Sequence, residues 1–392
     1  MKAIILFTFI ISFGYAQNDD IIGVSRTSNP SNQVYLAKVN EINGLVEDLS
    51  ANSYSEYISN FTYTVDPDLD IFYYTGLNNL IGIDISTGNL VTDVPISTSI
   101  QPYFQNFVYN ELTQELIGLE RGQNGGNQVY LSKIDPQTGI VTPVSQNSIT
   151  DAITLNAGST IDLNNQWFQF VSNGQLFSVD IATGQVVHSP VIDTSQVAFF
   201  DNILFNAADG NLYGLGRNSQ PAEIFLSQID PVTGLVTLIS QQSISEGFSL
   251  SGAAINPFSG IYYFKGLNEF KGVSLNSGNV VTSTPLDFSV SNGDFFDYYY
   301  YSGKVAALLN TQNLRSKQNI DIYPNPVESI LTVKSDSFST IQIFDLRGTL
   351  LSEKEVRNAN TTILDMSEFA RGIYILKLKS EEQSLVKKII KK

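Results

Sequence analysis

The chain has 392 residues, no cysteine, one histidine and a formal charge of −16. Disulfides, thiolate zinc sites, cysteine nucleophiles, histidine-based triads and multi-histidine metal sites are therefore excluded. The charge is uneven, −17 over residues 1–318 and +1 over 319–392, so the body of the chain repels nucleic-acid phosphates and anionic lipid.

Residues 1–16, MKAIILFTFIISFGYA, place Lys2 before a short apolar run and end in small residues. This is the pattern of a secretory signal peptide, predicted to be cut after Ala16. The run is too short for a comfortable membrane anchor.

From 17 to 310 one stretch recurs six times: VNEINGLV from Val39, IDISTGNLV from Ile83, IDPQTGIV from Ile134, VDIATGQVV from Val179, IDPVTGLV from Ile229 and VSLNSGNVV from Val273. An Asp, two loose positions and Thr-Gly predict a tight hairpin turn. The carboxylate caps the turn's N–H groups and Gly takes a left-handed conformation. Flanking β-branched residues predict strands. The turn glycines Gly44, Gly88, Gly139, Gly184, Gly234 and Gly278 are 44, 51, 45, 50 and 44 residues apart, a propeller-blade period in which long and short units alternate. Taken in pairs the step is 95 residues, from Gly44 to Gly139 to Gly234, and Pro95, Pro190 and Pro285 keep it. The body is thus predicted to be a six-bladed β-propeller of three double-blade repeats. In the third unit FVYN (107–110) and ELIGLER (115–121) form an inner strand pair and QVYLSKID and the strand after Gly139 an outer pair. IIGVSR (21–26) matches second-strand text, while FFDYYYYSGKVAALLN (295–310) offers an inner pair. Joining the two ends closes the ring, with the second strand open to either.

Blade text of this kind is similar to that of several bacterial propellers, including quinoprotein dehydrogenases. The tryptophan those proteins place after the glycine is missing, since Trp167 stands elsewhere. The resemblance carries the architecture and no quinone, and no cofactor is expected.

Two features repeat on the loop face that surrounds a propeller's channel. Arg26, Arg121 and Arg217 open the loop between second and third strands, and Glu56, Asp151 and Glu246 follow the Ser-rich crossovers SANSYSE, SQNSITD and SQQSISE. A ring of guanidinium and carboxylate groups could fork onto acidic or hydroxyl-rich ligands. Alternatively each Arg pairs with a neighbouring carboxylate and pins a blade junction. His188 reads as a surface loop residue, and Asp66, Asp68 and Asp70 in VDPDLD as a hairpin turn rather than a calcium loop.

A polar linker, 311–319, precedes a tail over 320–392 with alternating apolar residues in ILTVKS, IQIFDL and IYILKLK, which predict strands of a separate small β-sandwich. The tail resembles the C-terminal sorting domain of the Bacteroidetes type IX (Por) secretion system. The matching positions are Tyr323, Pro324, Asn325 and Pro326, the turn at Gly348, Arg371 and Gly372 leading to Tyr374, and the basic end with Lys387 and Lys388. The resemblance implies type IX machinery as a partner and passage through the periplasm to a secreted or outer-membrane location. It also implies tail removal with attachment to lipopolysaccharide. The expected function is a binding module for glycans or proteins on the propeller's loop face. The alternative is an extracellular polysaccharide hydrolase or lyase.

Overall fold

A computed structural model describes residues 20–28, 33–54, 62–76, 78–122, 128–151, 155–219, 222–267, 269–305, 321–334, 340–344, 350–356, 361–379 and 384–392. The expected signal peptide, the linker 311–319, Glu56 and Gly348 lie outside them. Every regular element among the described residues is a strand. Contacts divide the chain into two units, Met1–Ala306 and Ala307–Lys392.

Among the described residues the first unit holds six sheets. Blade 2 runs through Tyr63–Asp66, Ile71–Thr75, Asn79–Asp84 and Leu90–Pro95, and blade 3 through Tyr103–Asn110, Glu115–Arg121, Val129–Ile134 and Val141–Pro143. Blade 4 comprises Leu155–Asp162, Trp167–Ser172, Gln175–Asp180 and Val186–His188; blade 5 comprises Phe199–Asn206, Asn211–Ser219, Ala222–Ile229 and Val236–Leu238. Blade 6 follows with Phe248–Asn256, Ile261–Gly266, Glu269–Ser274 and Val280–Pro285. Blade 1 closes the ring. Its inner strand Phe295–Tyr301 comes from the far end of the unit and pairs with Ile21–Arg26, which leads on to Val34–Val39 and Leu45–Asp48. The second strand is therefore supplied by the N-terminal end, and Asp287–Val290 adds a parallel edge to the fourth. The six inner strands touch in cyclic order, the strand of blade 1 meeting those of blades 2 and 6.

The second strands are buried on both faces, and apolar side chains fill the spaces between neighbouring sheets. Ile22, Val24 and Leu36 of blade 1 meet Val65, Phe72 and Tyr74 of blade 2, and Leu215 and Leu226 of blade 5 meet Tyr262 and Phe264 of blade 6. Past the inner strand of blade 1 the chain makes a clasp. Lys304 Nζ lies 2.5 Å from Asp68 Oδ1, and the Val305 N–H donates to Glu111 Oε2 at 2.9 Å. Burial would raise Asp68, but Lys304 and the Tyr109 hydroxyl hold it below the usual aspartate range.

The recurring turn is built as expected. Asp84, Asp135, Asp180 and Asp230 accept turn N–H groups at 2.7 to 2.8 Å, and Asn40 does the same in the first copy. The turn glycines have φ between +67 and +77°. Each also lies against the preceding blade. A Cβ at Gly139 would stand 2.1 Å from the Pro95 carbonyl oxygen, and one at Gly44 2.1 Å from that of Pro285. Around the long-unit turns the contact becomes a hydrogen bond, Ser97 N–H to Gly139 O and Asp193 N–H to Gly234 O, each 2.9 Å. Turn and blade junction are one device.

Asp66 accepts the N–H groups of Asp68 and Leu69, so VDPDLD is the first hairpin turn of blade 2. The matching turns of blades 3, 4, 5 and 6 are capped by Asn110, Asp162, Asn206 and Asn256.

In the second unit the sheet of Asp321–Tyr323, Ile330–Lys334 and Thr361–Asp365 shares one core with the sheet of Leu350–Glu355, Thr340–Phe344, Gly372–Lys379 and Ser384–Lys391. Leu331, Val333 and Leu364 from the first are buried with Ile341, Ile343, Leu376 and Leu378 from the second. This is a small β-sandwich.

Candidate functional site

The mouth of the ring is defined by the crossovers that enter each inner strand and by the ends of the second strands. In blade 3 the crossover is pinned by Glu120, a fully buried carboxylate that accepts the N–H groups of Ile100 and Gln101 at 3.0 and 3.1 Å. In blade 1 Asp48 accepts the Ser291 hydroxyl and the Asn292 N–H, each at 2.7 Å. In blade 5 no carboxylate acts: Gly216 lets buried Val197 sit where a Cβ would be, and Asn218 Oδ1 accepts the Ala198 N–H at 3.1 Å. Each crossover delivers an aromatic residue to the first position of an inner strand. These are Tyr103, Phe199 and Phe295, exposed by 37%, 47% and 44%.

Strand register places each aromatic directly opposite an arginine: Tyr103 with Arg121, Phe199 with Arg217 and Phe295 with Arg26. Directly opposed side chains share a face of the sheet. The Arg217 guanidinium lies over the Phe199 ring, 4.1 Å from its centre. Lys265, at the end of blade 6's second strand, reaches to within 5.8 Å of the Phe295 ring centre. The three expected arginines are thus repeated at one place in the long blades. The aromatic partners were missed, although their spacing of 96 and 96 residues signals them.

Two residues further along the inner strand, on the same face, stand Gln105, Asp201 and Asp297. Asp201 Oδ2 takes Arg217 Nε at 2.7 Å, and Asp297 Oδ2 takes Arg26 Nη2 at 2.5 Å while its Oδ1 takes Lys265 Nζ at 3.1 Å. The carboxylates are 5% and 6% exposed and the arginines about a third, so the pairs lie at the border of protein and solvent. Arg121 stands diagonally from Gln105, opposite Tyr103, and enters no ion pair among the described residues; its Nε, shut off from solvent, has no partner among them. Asp151 and Glu246 are exposed at the crossovers, and neither pairs with an arginine among the described residues. Asp151 accepts instead from the Ser148 hydroxyl at 3.2 Å.

The first serine of each crossover has a structural task. Ser50, Ser145 and Ser240 are buried, and their Oγ atoms accept the N–H groups of Leu36, Leu131 and Leu226 at 3.0, 2.8 and 3.1 Å. Beyond Ser145 a polar groove of about 530 Å³ runs between 146–149 and 182–186. At the matching place beside blade 1, Tyr54 donates its hydroxyl to the Gly88 carbonyl.

Below its mouth the channel is nearly filled. Tyr63, Phe107, Ser159, Ile203, Ala253 and Tyr300, one from each inner strand, surround a cavity of about 30 Å³. That is room for a water or two. A second cavity of about 50 Å³, lined by Glu111, Thr160 and Val305, lies beyond Leu204 and Tyr300. Among the described residues no three His, Asp or Glu gather as metal ligands. His188 packs edge-on against Trp167, 5.1 Å between ring centres.

In the second unit, Tyr323 ends a strand with its ring 5.5 Å from Lys334 Nζ, and Asn325, between exposed Pro324 and Pro326, accepts the Ile390 N–H at 2.9 Å. Arg371 and Gly372 are exposed where the Gly372–Lys379 strand begins, and buried Tyr374 donates to the Ala370 carbonyl at 2.8 Å. Lys387 and Lys388 stand opposite Leu376 and Ile375 in the sheet.

Residues 321–392 match the family described as secretion system C-terminal sorting domain. The chain therefore carries a type IX sorting tail, which makes it an exported protein of secreted or cell-surface location. In fold the chain is similar to TolB from Acinetobacter baumannii, with a TM-score of 0.51 and 15% identity over 74% of this chain and 67% of that one. A periplasmic gluconolactonase of Pseudomonas aeruginosa aligns with a TM-score of 0.43 and 10% identity over 68% of this chain and 98% of its own. A putative 6-phosphogluconolactonase from Bacteroides uniformis gives a TM-score of 0.42 and 13% identity over 69% and 98%. No curated protein matches the chain in sequence.

Proposed function

We propose that residues 17–310 form a binding module displayed at or beyond the cell surface, engaging glycans at the mouth of the ring. The observation that carries this is the threefold repeat of an exposed aromatic ring beside an arginine, Tyr103 with Arg121, Phe199 with Arg217 and Phe295 with Arg26. A flat ring offers a stacking surface to the apolar face of a sugar, and a guanidinium fork offers donors to its oxygens. The cavity of about 30 Å³ between the inner strands has no room for a sugar, which supports binding at the mouth over turnover inside the ring. In the same proposal residues 1–16 are removed on entry to the periplasm, 311–319 link body to tail, and the tail is exchanged for lipopolysaccharide outside.

A glycan array and an activity screen on the same purified chain test the proposal. Saturable binding without turnover is expected, and Phe199→Ala lowers affinity roughly three- to tenfold, the scale of an aromatic contact worth about 0.5–1.5 kcal/mol. Turnover of a polysaccharide would select the enzyme instead.

A further inference from the structure

The three arginine–aromatic stations are equal in backbone and unequal in charge. In blade 1 a carboxylate, Asp297, carries two cations; in blade 5 Asp201 carries one. In blade 3 the position two residues past the aromatic is Gln105, and Arg121 enters no ion pair among the described residues. A half-buried guanidinium without a counter-ion is unusual, because partial desolvation of a cation is normally offset by a partner.

We propose that Arg121 and Tyr103 form a subsite for an acidic sugar, with Arg121 forking onto the carboxylate of a uronic acid whose ring lies on Tyr103. This deepens the proposed glycan-binding function and rests on it. The geometry favours such a ligand because the two side chains are opposite members of one strand pair and so present a donor fork and an apolar plate side by side. The overall charge narrows the class further. With −17 over residues 1–318, the body repels a densely charged polyanion, whereas a single carboxylate within the roughly 8 Å screening length of Arg121 is governed by that guanidinium. The ligand is a largely neutral glycan bearing isolated uronic acids. At the other two stations the arginine already holds a carboxylate, and these take its uncharged sugars.

The test is calorimetric titration of the full chain with xylotetraose bearing one glucuronic acid branch, beside unbranched xylotetraose and polygalacturonate. The branched compound is expected to bind at least tenfold more tightly than the unbranched one, the scale of a charge-assisted hydrogen bond. Gln105→Asp, which restores the carboxylate found at its two counterparts, abolishes that preference without lowering the denaturation midpoint. Asp201→Gln, which frees Arg217, adds a second acid-preferring site. If Gln105→Asp leaves the preference intact, or if both compounds bind equally and Phe199→Ala weakens both, the acid subsite is overturned while glycan binding stands. If neither binds, or binding ignores substitution of Tyr103, Phe199 and Arg121 alike, the mouth is not a glycan site and both proposals fall. Tighter binding of polygalacturonate than of the branched compound overturns the choice of an isolated uronic acid.

Discussion

Gly139 and Gly174 have nearly the same backbone conformation, φ +72 and +73°, in different surroundings. A Cβ at Gly139 would meet the Pro95 carbonyl oxygen at 2.1 Å, while one at Gly174, in a two-residue hairpin turn with Asn173, would meet nothing within 4 Å. The left-handed region costs an L-residue about 1–2 kcal/mol, and forcing the blades apart adds a comparable amount. Gly174→Ala should therefore lower stability by about 1 kcal/mol and Gly139→Ala by about 3 kcal/mol, read from urea midpoints. The turn aspartates make a second residue-scale prediction. The N–H of Thr233, above all, holds the Asp230 carboxyl below the usual aspartate range. A depressed carboxylate contributes stability that is present above the unfolded value, near 3.9, and is lost as pH falls through the folded one. Asp230→Ala should cost about 1 kcal/mol at pH 7, and the gap to the unsubstituted chain should narrow below about pH 4. Asp66 has the opposite sign, since burial raises it and its contribution fades as pH rises through the raised value.

At the scale of elements, the Ser-rich crossovers repeat because their first serine is part of the scaffold. Ser145→Ala removes the acceptor of a buried N–H and should cost about 1–3 kcal/mol, whereas Ser148→Ala, which loses a bond at a half-exposed site, should cost less than about 1 kcal/mol. Chemical denaturation of the two variants makes the comparison. The turns and their period were legible in the sequence because each needs a particular chemistry, a short acceptor and a glycine, and because the same blade contact selects them six times. The site was legible only in half. The arginines stand out by charge, but Tyr103, Phe199 and Phe295 open runs of apolar text that read as buried strand, and their exposure follows from standing at the mouth. Pairing of Arg26 with Asp297, 271 residues away, depends on which end of the chain supplies the inner strand of blade 1. Alternating apolar residues are blind to that choice, since Ile21–Arg26 and Phe295–Tyr301 both suit an inner pair.

For the whole molecule, two units with separate cores divide two tasks. The sandwich packs its own interior from Val327 to Ile389, and its family match places the export signal there. Deleting residues 320–392 should leave the body folded and absent from the culture medium and cell surface, with its mature form accumulating in the periplasm. Fractionation of cells making the truncated chain provides the check, and unchanged export would remove the sorting role. Val305 is the last described contact of the ring, so this deletion spares the clasp on Glu111 and the thermal midpoint of the body should be retained.

Blade 1 joins a strand from the start of the body to one made last. Asp20 and Ser302 exchange backbone and hydroxyl hydrogen bonds across 282 positions. During synthesis Ile21–Arg26 therefore waits with one edge unsatisfied until Tyr301 has emerged. The nascent protein is most prone to wrong association just before completion, and chaperone capture should peak on chains halted short of Phe295.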